Sequence, residues 1–416
     1  MKRTILIFLI LISYFNTVYS EEYWKEIYRT DGTIWSIVTN SNGDVFCAAN
    51  ELIRSTNHGE DWEVVLSQPQ TYPAISSTGS IISGPLPLYI SEDNGDSWSE
   101  LDFDMFNEFS SIFFDSNGNI FLGGLADNVN GICKSSDNGL NWSLVLSYPN
   151  LNTETTSFIE TEEGILFVSS WLGDGGVYRS LDNGNSWEYS GLNNEYVTSL
   201  SVDINGNILA GSRGHYDDDN GALFISEDNG ETWNKLVDNI SVSSIDVSPE
   251  GVIFMSSYFS LNGFVAGLQL SYDNGENWIY LESITPGVAD ITQICLSDDG
   301  YLYLLAKDWE DAFIYRSIEP TTGIDEIAPN TFSLSQNYPN PFNPTTTISF
   351  NLPMESDVKL EVYNTKGEMV KNLLNSSMKS GTHSIEFNGS SLSSGVYYYK
   401  LTAGKENHVK KMMLIK

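Results

Sequence analysis

The sequence predicts an all-β chain: a seven-bladed β-propeller closed by its own N-terminal strand, followed by a small C-terminal β-sandwich. Three observations predict it. One octapeptide, Ser-x-Asp-Asn-Gly-x-x-Trp, recurs through the first three quarters of the chain. β-rich hairpins with tight turns fill the intervals between its copies. The charge balance changes sharply near residue 330, which marks a domain boundary.

Residues 1–20 read as a secretory signal peptide. Lys2 and Arg3 give a positive start, and Ile5 to Ile12 form an apolar run too short to span a bilayer. Val18 and Ser20 fit a small-residue cleavage pattern before Glu21.

Residues 21–318 carry the repeat. Full copies stand at Ser91–Trp98, Ser135–Trp142, Ser180–Trp187, Ser226–Trp233 and Ser271–Trp278. Ser55–Trp62 is a weaker copy with Asn57 and His58 in place of Asp-Asn. Successive tryptophans lie 36, 44, 45, 46 and 45 residues apart, the period of a four-stranded propeller blade. Each unit opens with a hairpin, such as Ser36–Ala49 turning at Asn42-Gly43 or Thr198–Gly211 turning at Asn205-Gly206. Asn-Gly supplies the positive φ that such a turn requires. A third strand leads into the octapeptide, and a short fourth strand starts at the Trp.

The octapeptide has a structural logic. Asp93, Asp137, Asp182, Asp228 and Asp273 can accept backbone N–H groups across the turn. Gly95, Gly139, Gly184, Gly230 and Gly275 can take the left-handed conformation. Trp98, Trp142, Trp187, Trp233 and Trp278 can bury a large ring against the sheet.

The hairpins number seven, the last at Thr292–Ala306, and a third strand follows at Phe313–Ser317. That unit then breaks off at Ile318-Glu319-Pro320 without an octapeptide. Its missing outer strand is expected from Trp24-Lys25-Glu26-Ile27-Tyr28, which repeats the Trp-x-x-aliphatic shape of Trp62-Glu63-Val64-Val65. Such closure removes an open seam.

The net charge is −35 at pH 7. Residues 21–330 hold 9 Lys and Arg against 49 Asp and Glu, whereas residues 331–416 hold 9 Lys against 6 acids. An acidic body of this kind disfavours nucleic acid and anionic membranes as partners, because phosphate binding needs a basic face. It suits solubility and can attract divalent cations. Cys47, Cys133 and Cys295 have neither disulfide-framework nor metal-ligand spacing, and read as small buried apolar residues. No later segment is long and apolar enough to be transmembrane, and a monomer is expected.

The octapeptide resembles the sialidase-type Asp-box (BNR) repeat, over roughly residues 24–318. The resemblance implies a propeller and leaves the function open, since enzymes and non-enzymes share it. It implies that the octapeptide turns lie on the face away from the usual ligand site. After a linker at 319–330, residues 331–416 carry a second resemblance. Asn337-Tyr338-Pro339-Asn340-Pro341-Phe342-Asn343-Pro344, Lys366-Gly367, Gly395–Leu401 and the lysine-rich end resemble the type A C-terminal sorting domain of the type IX secretion system. That family implies passage through the periplasm and the outer membrane, with the secretion machinery as partner. Read from its residues alone, this segment is a run of short alternating strands with Gly turns, hence a small sandwich with a stiff Pro-rich entry.

The propeller has five arginines, Arg29, Arg54, Arg179, Arg213 and Arg316. Three of them, Arg54, Arg179 and Arg316, occupy one slot just before the octapeptide Ser or its equivalent. Repetition at one slot points to a role within the blades and away from a sialidase triad. The expected ligand face is built from the loops joining strands two to three and four to one, whose lengths vary. Candidate ligand-binding residues there are Trp171, Asp174, Arg213, His215, Tyr216, Trp309, Glu310 and Asp311. Aromatic faces stack on sugars, and carboxylates bind hydroxyls or cations. Asp217, Asp218 and Asp219 form a candidate calcium site without the alternating spacing of a dedicated loop. His58 and His215 lack neighbours at zinc-ligand spacing, and no catalytic residue or other cofactor is assigned. The expected function is a secreted or surface-displayed, non-catalytic propeller that binds glycan or protein. The alternatives are an extracellular glycoside hydrolase, which would need two carboxylates across a cleft, and a structural surface protein.

Overall fold

The computed structural model describes residues 24–68, 72–126, 129–150, 153–171, 175–213, 221–257, 267–281, 290–308, 310–320, 333–337, 339–352, 356–379, 381–404 and 406–416. The expected signal peptide and most of the expected linker lie outside them, so neither expectation meets a structural observation.

The chain is all-β. Among the described residues, seven four-stranded antiparallel sheets follow one another as meanders. Blade one is typical, with strands Ser36–Thr39, Val45–Ala48, Leu52–Ser55 and Glu63–Leu66. Its outer strand begins one residue after Trp62, not on it; the same offset holds after the other five tryptophans of the octapeptides. The ring of the indole packs beside the turn, and the next residue is the first to enter the ladder. The inner strands of blades two to seven are Ala74–Ile75, Glu108–Phe114, Glu154–Glu160, Tyr196–Val202, Val242–Val247 and Asp290–Leu296. Each lies beside the inner strands before and after it, and that of blade seven lies beside Ser36–Thr39 of blade one, so the ring is closed.

Closure uses the N-terminus. Trp24–Thr30 pairs antiparallel with Ala312–Ser317, from Trp24 opposite Ser317 to Thr30 opposite Ala312. Blade seven thus takes its outer strand from the other end of the chain and leaves no unpaired seam.

The octapeptide turns are built alike. In Ser91–Trp98 the Asp93 carboxylate accepts the Ser97 N–H at 2.8 Å, and the Gly95 N–H donates to Ser91 Oγ at 2.8 Å. Asn94 and Gly95 both have positive φ, 61° and 88°. A primed turn of this kind matches strand twist, and its second residue is glycine because a Cβ there is strained. The Trp98 indole then donates to Gly95 O at 3.1 Å. At Gly184 the crowding comes from the preceding blade: an added Cβ would lie 2.2 Å from the ring of Phe121.

The slot before the octapeptide holds adjacent blades together. The Arg179 guanidinium donates to Asn229 O at 2.6 Å, and the Lys134 ammonium donates to Asn183 O at 2.7 Å. Arg54 reaches Asn94 O in the same way. Each basic side chain grips a carbonyl that the positive φ of the neighbouring turn has turned outward. Cys47 and Cys133 are buried and Cys295 is half-buried, all as free thiols.

The C-terminal strands form two facing sheets. Thr345–Leu352, flanked by Ser333–Leu334 and Gly381–Asn388, covers a four-stranded sheet ordered Met369–Met378, Ser356–Asn364, Gly395–Ala403, Glu406–Leu414. Ile348, Phe350 and Phe387 pack against Leu360, Val362, Tyr399 and Leu401 in one core. The Pro-rich entry is tied into it: the Asn337 N–H donates to the Tyr399 hydroxyl oxygen at 2.8 Å, and that hydroxyl donates to Ser335 O at 2.7 Å. No helix among the described residues is long and apolar enough to cross a membrane.

Candidate functional site

The inner strands place the site. Counting back five residues from the first residue of each inner hairpin turn gives Trp35, Thr71, Ser110, Thr156, Thr198, Ser243 and Thr292. Ser110, Thr156, Thr198, Ser243 and Thr292 sit in β-bulges, each skipped by the ladder to the second strand. A bulge re-aims its side chain. Here the hydroxyls cross the blade junctions: Ser110 donates to Thr155 O at 2.8 Å, Thr156 to Val197 O at 2.7 Å and Thr198 to Val242 O at 2.8 Å. The residues after the bulges form a second polar tier. Ser199 Oγ accepts the Ile245 N–H at 3.0 Å, Ser244 Oγ accepts the Ile294 N–H at 3.1 Å, and the Gln293 amide bonds both the N–H and the C=O of Ile37 at 3.0 Å.

These two tiers wall a recess of about 570 Å³ at the mouth of the central channel. It opens on the face where inner strands begin, opposite the octapeptide turns. Ser243 lines it, and its buried Oγ has no hydrogen-bond partner. Trp35 breaks the hydroxyl column with a large ring that is 40% exposed. Tyr72 packs against Trp35 with centroids 6.3 Å apart, and Phe109 backs Tyr72 at 6.0 Å.

The rim is acidic, formed by Asp31, Asp308, Glu310 and Asp311 with Lys307 among them. Asp308 accepts the backbone N–H groups of Glu310 and Asp311, both at 2.8 Å, which holds its carboxyl below the usual range. Asp311 faces the Arg29 guanidinium at 3.3 Å, and Arg29 lies 4.5 Å over the Phe313 ring. Deeper in the channel, the Asp246 carboxylate accepts the N–H groups of Leu296 and Val247, both at 2.8 Å. The residue is half-buried, and burial pushes its carboxyl up to about 6.

Of the residues singled out in the sequence, Glu310 and Asp311 line the recess. Trp171 and Arg213 end second strands on the same face but are not among its walls. The Trp171 indole donates to the Glu154 carboxylate at 2.8 Å and packs edge-on against Tyr196 at 6.5 Å. Asp174, His215, Tyr216, Trp309 and the calcium candidates Asp217, Asp218 and Asp219 lie outside the described residues. Among the described residues, no three His, Cys, Asp or Glu side chains converge as a metal site. Loop reasoning overlooked Trp35, Tyr72 and Ser243. The available signal was the column five residues before each hairpin turn, where a single Trp interrupts Ser and Thr.

Comparison with known proteins identifies the tail. Residues 336–416 match the family described as the secretion system C-terminal sorting domain. The chain is therefore exported through the type IX secretion system, to the cell surface or the extracellular space. No curated protein matches the sequence. Among solved structures it is similar to the GH74 enzyme of Niastella koreensis, at 14% identity and a TM-score of 0.57 over 79% of this chain and 59% of that one. The GH74 xyloglucanase of Xanthomonas campestris gives 12% identity and a TM-score of 0.54, again over 79% and 59%. YCF48 bound to D1 peptide gives 17% identity and a TM-score of 0.55, over 74% of this chain and 98% of that one. The chain thus spans about three fifths of the GH74 proteins, at 59%. At these identities the likeness speaks to the propeller fold alone.

Proposed function

We propose that this exported chain is a non-catalytic recognition propeller that holds a glycan in its axial recess. The observation that carries the proposal is Trp35, an exposed indole at the mouth of a recess rich in Ser and Thr hydroxyls. Aromatic faces cover the apolar face of a sugar ring, while hydroxyls and carboxylates answer its hydroxyls. The rim acids favour binding over hydrolysis. Asp308 is held ionised by two backbone N–H groups and Asp311 is turned toward Arg29. The carboxyl that burial pushes up to about 6, Asp246, is gripped by two backbone N–H groups, an arrangement that suits a blade contact better than a mobile general acid. We read the octapeptides as Asp-box turns that stiffen the scaffold, and residues 331–416 as a unit that addresses it. Asp217 to Asp219 remain the proposed calcium site.

The test is a binding and turnover screen of the full chain against xyloglucan, mixed-linkage β-glucan and mannan, with calcium and with a chelator. Xyloglucan is included because one structural neighbour is named a xyloglucanase. Saturable binding without product, weakened by Trp35→Ala, is expected. Product release abolished by Glu310→Gln or Asp311→Asn would instead make the chain a glycoside hydrolase.

A further inference from the structure

We infer that the recess takes the end of a glycan chain, inserted along the propeller axis, and does not hold a chain lying across the face. The inference rests on the glycan reading above and adds how the ligand sits.

The polar lining is shallow. It consists of the bulge residues and their successors, such as Thr156 and Ser157, Thr198 and Ser199, Ser243 and Ser244. Deeper along the inner strands, the half-buried side chains are largely apolar, Val38, Phe113, Ile159, Cys295 and Leu296 among them, and the carboxylate at that depth, Asp246, already accepts two backbone N–H groups. A sugar pushed past the hydroxyl tiers would lose water from its hydroxyls and meet few free partners, at a cost of about tenfold in affinity or more for each hydroxyl left unpaired. A chain entering the mouth therefore stops at the tiers, and its terminal unit occupies the recess.

Ser243 marks that stopping point. The bulge hydroxyls of Ser110, Thr156 and Thr198 are engaged by carbonyls of the next blade. Ser243 lines the recess with 9% of the residue exposed, and its Oγ is buried without a partner, so rotation about χ1 is what would bring it to a ligand. A buried hydroxyl without a partner is unfavourable, and a terminal sugar hydroxyl can relieve it. Trp35, with Tyr72 beside it, stands at the same register as Ser243 in the column, so the same terminal unit would rest against its ring.

The experiment uses the full chain and the same three glycans, each intact and after enzymatic cutting to short oligosaccharides. Calorimetry then gives the number of protein molecules bound per mass of glycan. End-on binding predicts that cutting multiplies the sites in proportion to the new chain ends. Sites that scale with mass and ignore cutting would overturn the inference while leaving the glycan reading intact; binding to none of the glycans would overturn both. Ser243→Ala is expected to weaken oligosaccharide binding about fivefold while Tm rises, because the unpaired buried hydroxyl is removed. Thr198→Ala, which removes an inter-blade hydrogen bond, should lower Tm. An unchanged affinity in Ser243→Ala overturns the role given to Ser243.

Discussion

The Arg316 guanidinium donates to the backbone carbonyl of His58 at 2.7 Å, joining positions 258 residues apart. Arg316 is the penultimate residue of the third strand of blade seven, and His58 holds the positive-φ position, at 58°, in the octapeptide of blade one. The same grip recurs between consecutive blades, at Arg179 with Asn229 and at Lys134 with Asn183. The ring therefore closes with the contact by which it propagates.

Arg316→Ala should destabilise the propeller by about 2 kcal/mol, because a buried charge-assisted hydrogen bond is lost and a carbonyl is left unpaired. Arg316→Lys should recover part of this, since Lys134 performs the same contact with one ammonium. Denaturant unfolding of the two variants checks the order.

Deleting residues 24–30 should cost far more. It removes the outer strand of blade seven, the buried Trp24 and the indole contact from Trp62 to Ile27 O at 3.0 Å. The expected outcome is loss of a single cooperative melting transition and exposure of apolar surface to a dye probe. Adding the peptide Trp24–Thr30 in trans should restore part of the transition.

Two glycines separate backbone strain from crowding. Gly206 has φ of 81° with nothing within 4 Å of an added Cβ, so Gly206→Ala should cost about 1 kcal/mol. Gly184 has φ of 74° and faces Phe121 at 2.2 Å, so Gly184→Ala should cost about 3 kcal/mol or more. Equal losses in Tm would show that the Phe121 ring gives way freely.

Stability should pass through a maximum on the acid side of neutrality. Hydrogen bonds from Ser186 hold the Asp182 carboxyl down to about 2, and the Ser97, Asn141 and Thr232 side chains lower Asp93, Asp137 and Asp228 in the same direction. Their stabilisation is present above the ordinary carboxylate pKa of about 4 and is lost as pH falls toward 2. Asp246 acts oppositely. Its folded pKa is raised to about 6, so its contribution is full below the ordinary value and is lost as pH rises through 6. A Tm profile should therefore peak near pH 4, fall toward pH 2, and decline between about 4 and 6 to a plateau above, and Asp246→Asn should remove the decline on the neutral side alone.

Much of this molecule was legible because its repeat is local. Ser, Asp, Gly and Trp at fixed offsets make a turn whose hydrogen bonds run within one octapeptide, as from Gly95 N–H to Ser91 Oγ, so periodicity alone announced the blades. The closing strand was legible for the same reason, since Trp24 repeats the Trp that immediately precedes the other outer strands, and the sorting tail through its Asn337–Pro344 run. The recess was not legible. Trp35, Tyr72, Ser243 and Glu310 come from blades one, two, six and seven, and nothing in the local chemistry of each says that they share a wall. That sharing depends on ring closure and on bulges that turn single hydroxyls toward the axis. The sequence by itself determined the blade, its number and the address of the chain, because those rest on contacts between near neighbours. Only the tertiary structure decided where a ligand can sit, because the recess exists only once seven inner strands meet around one axis.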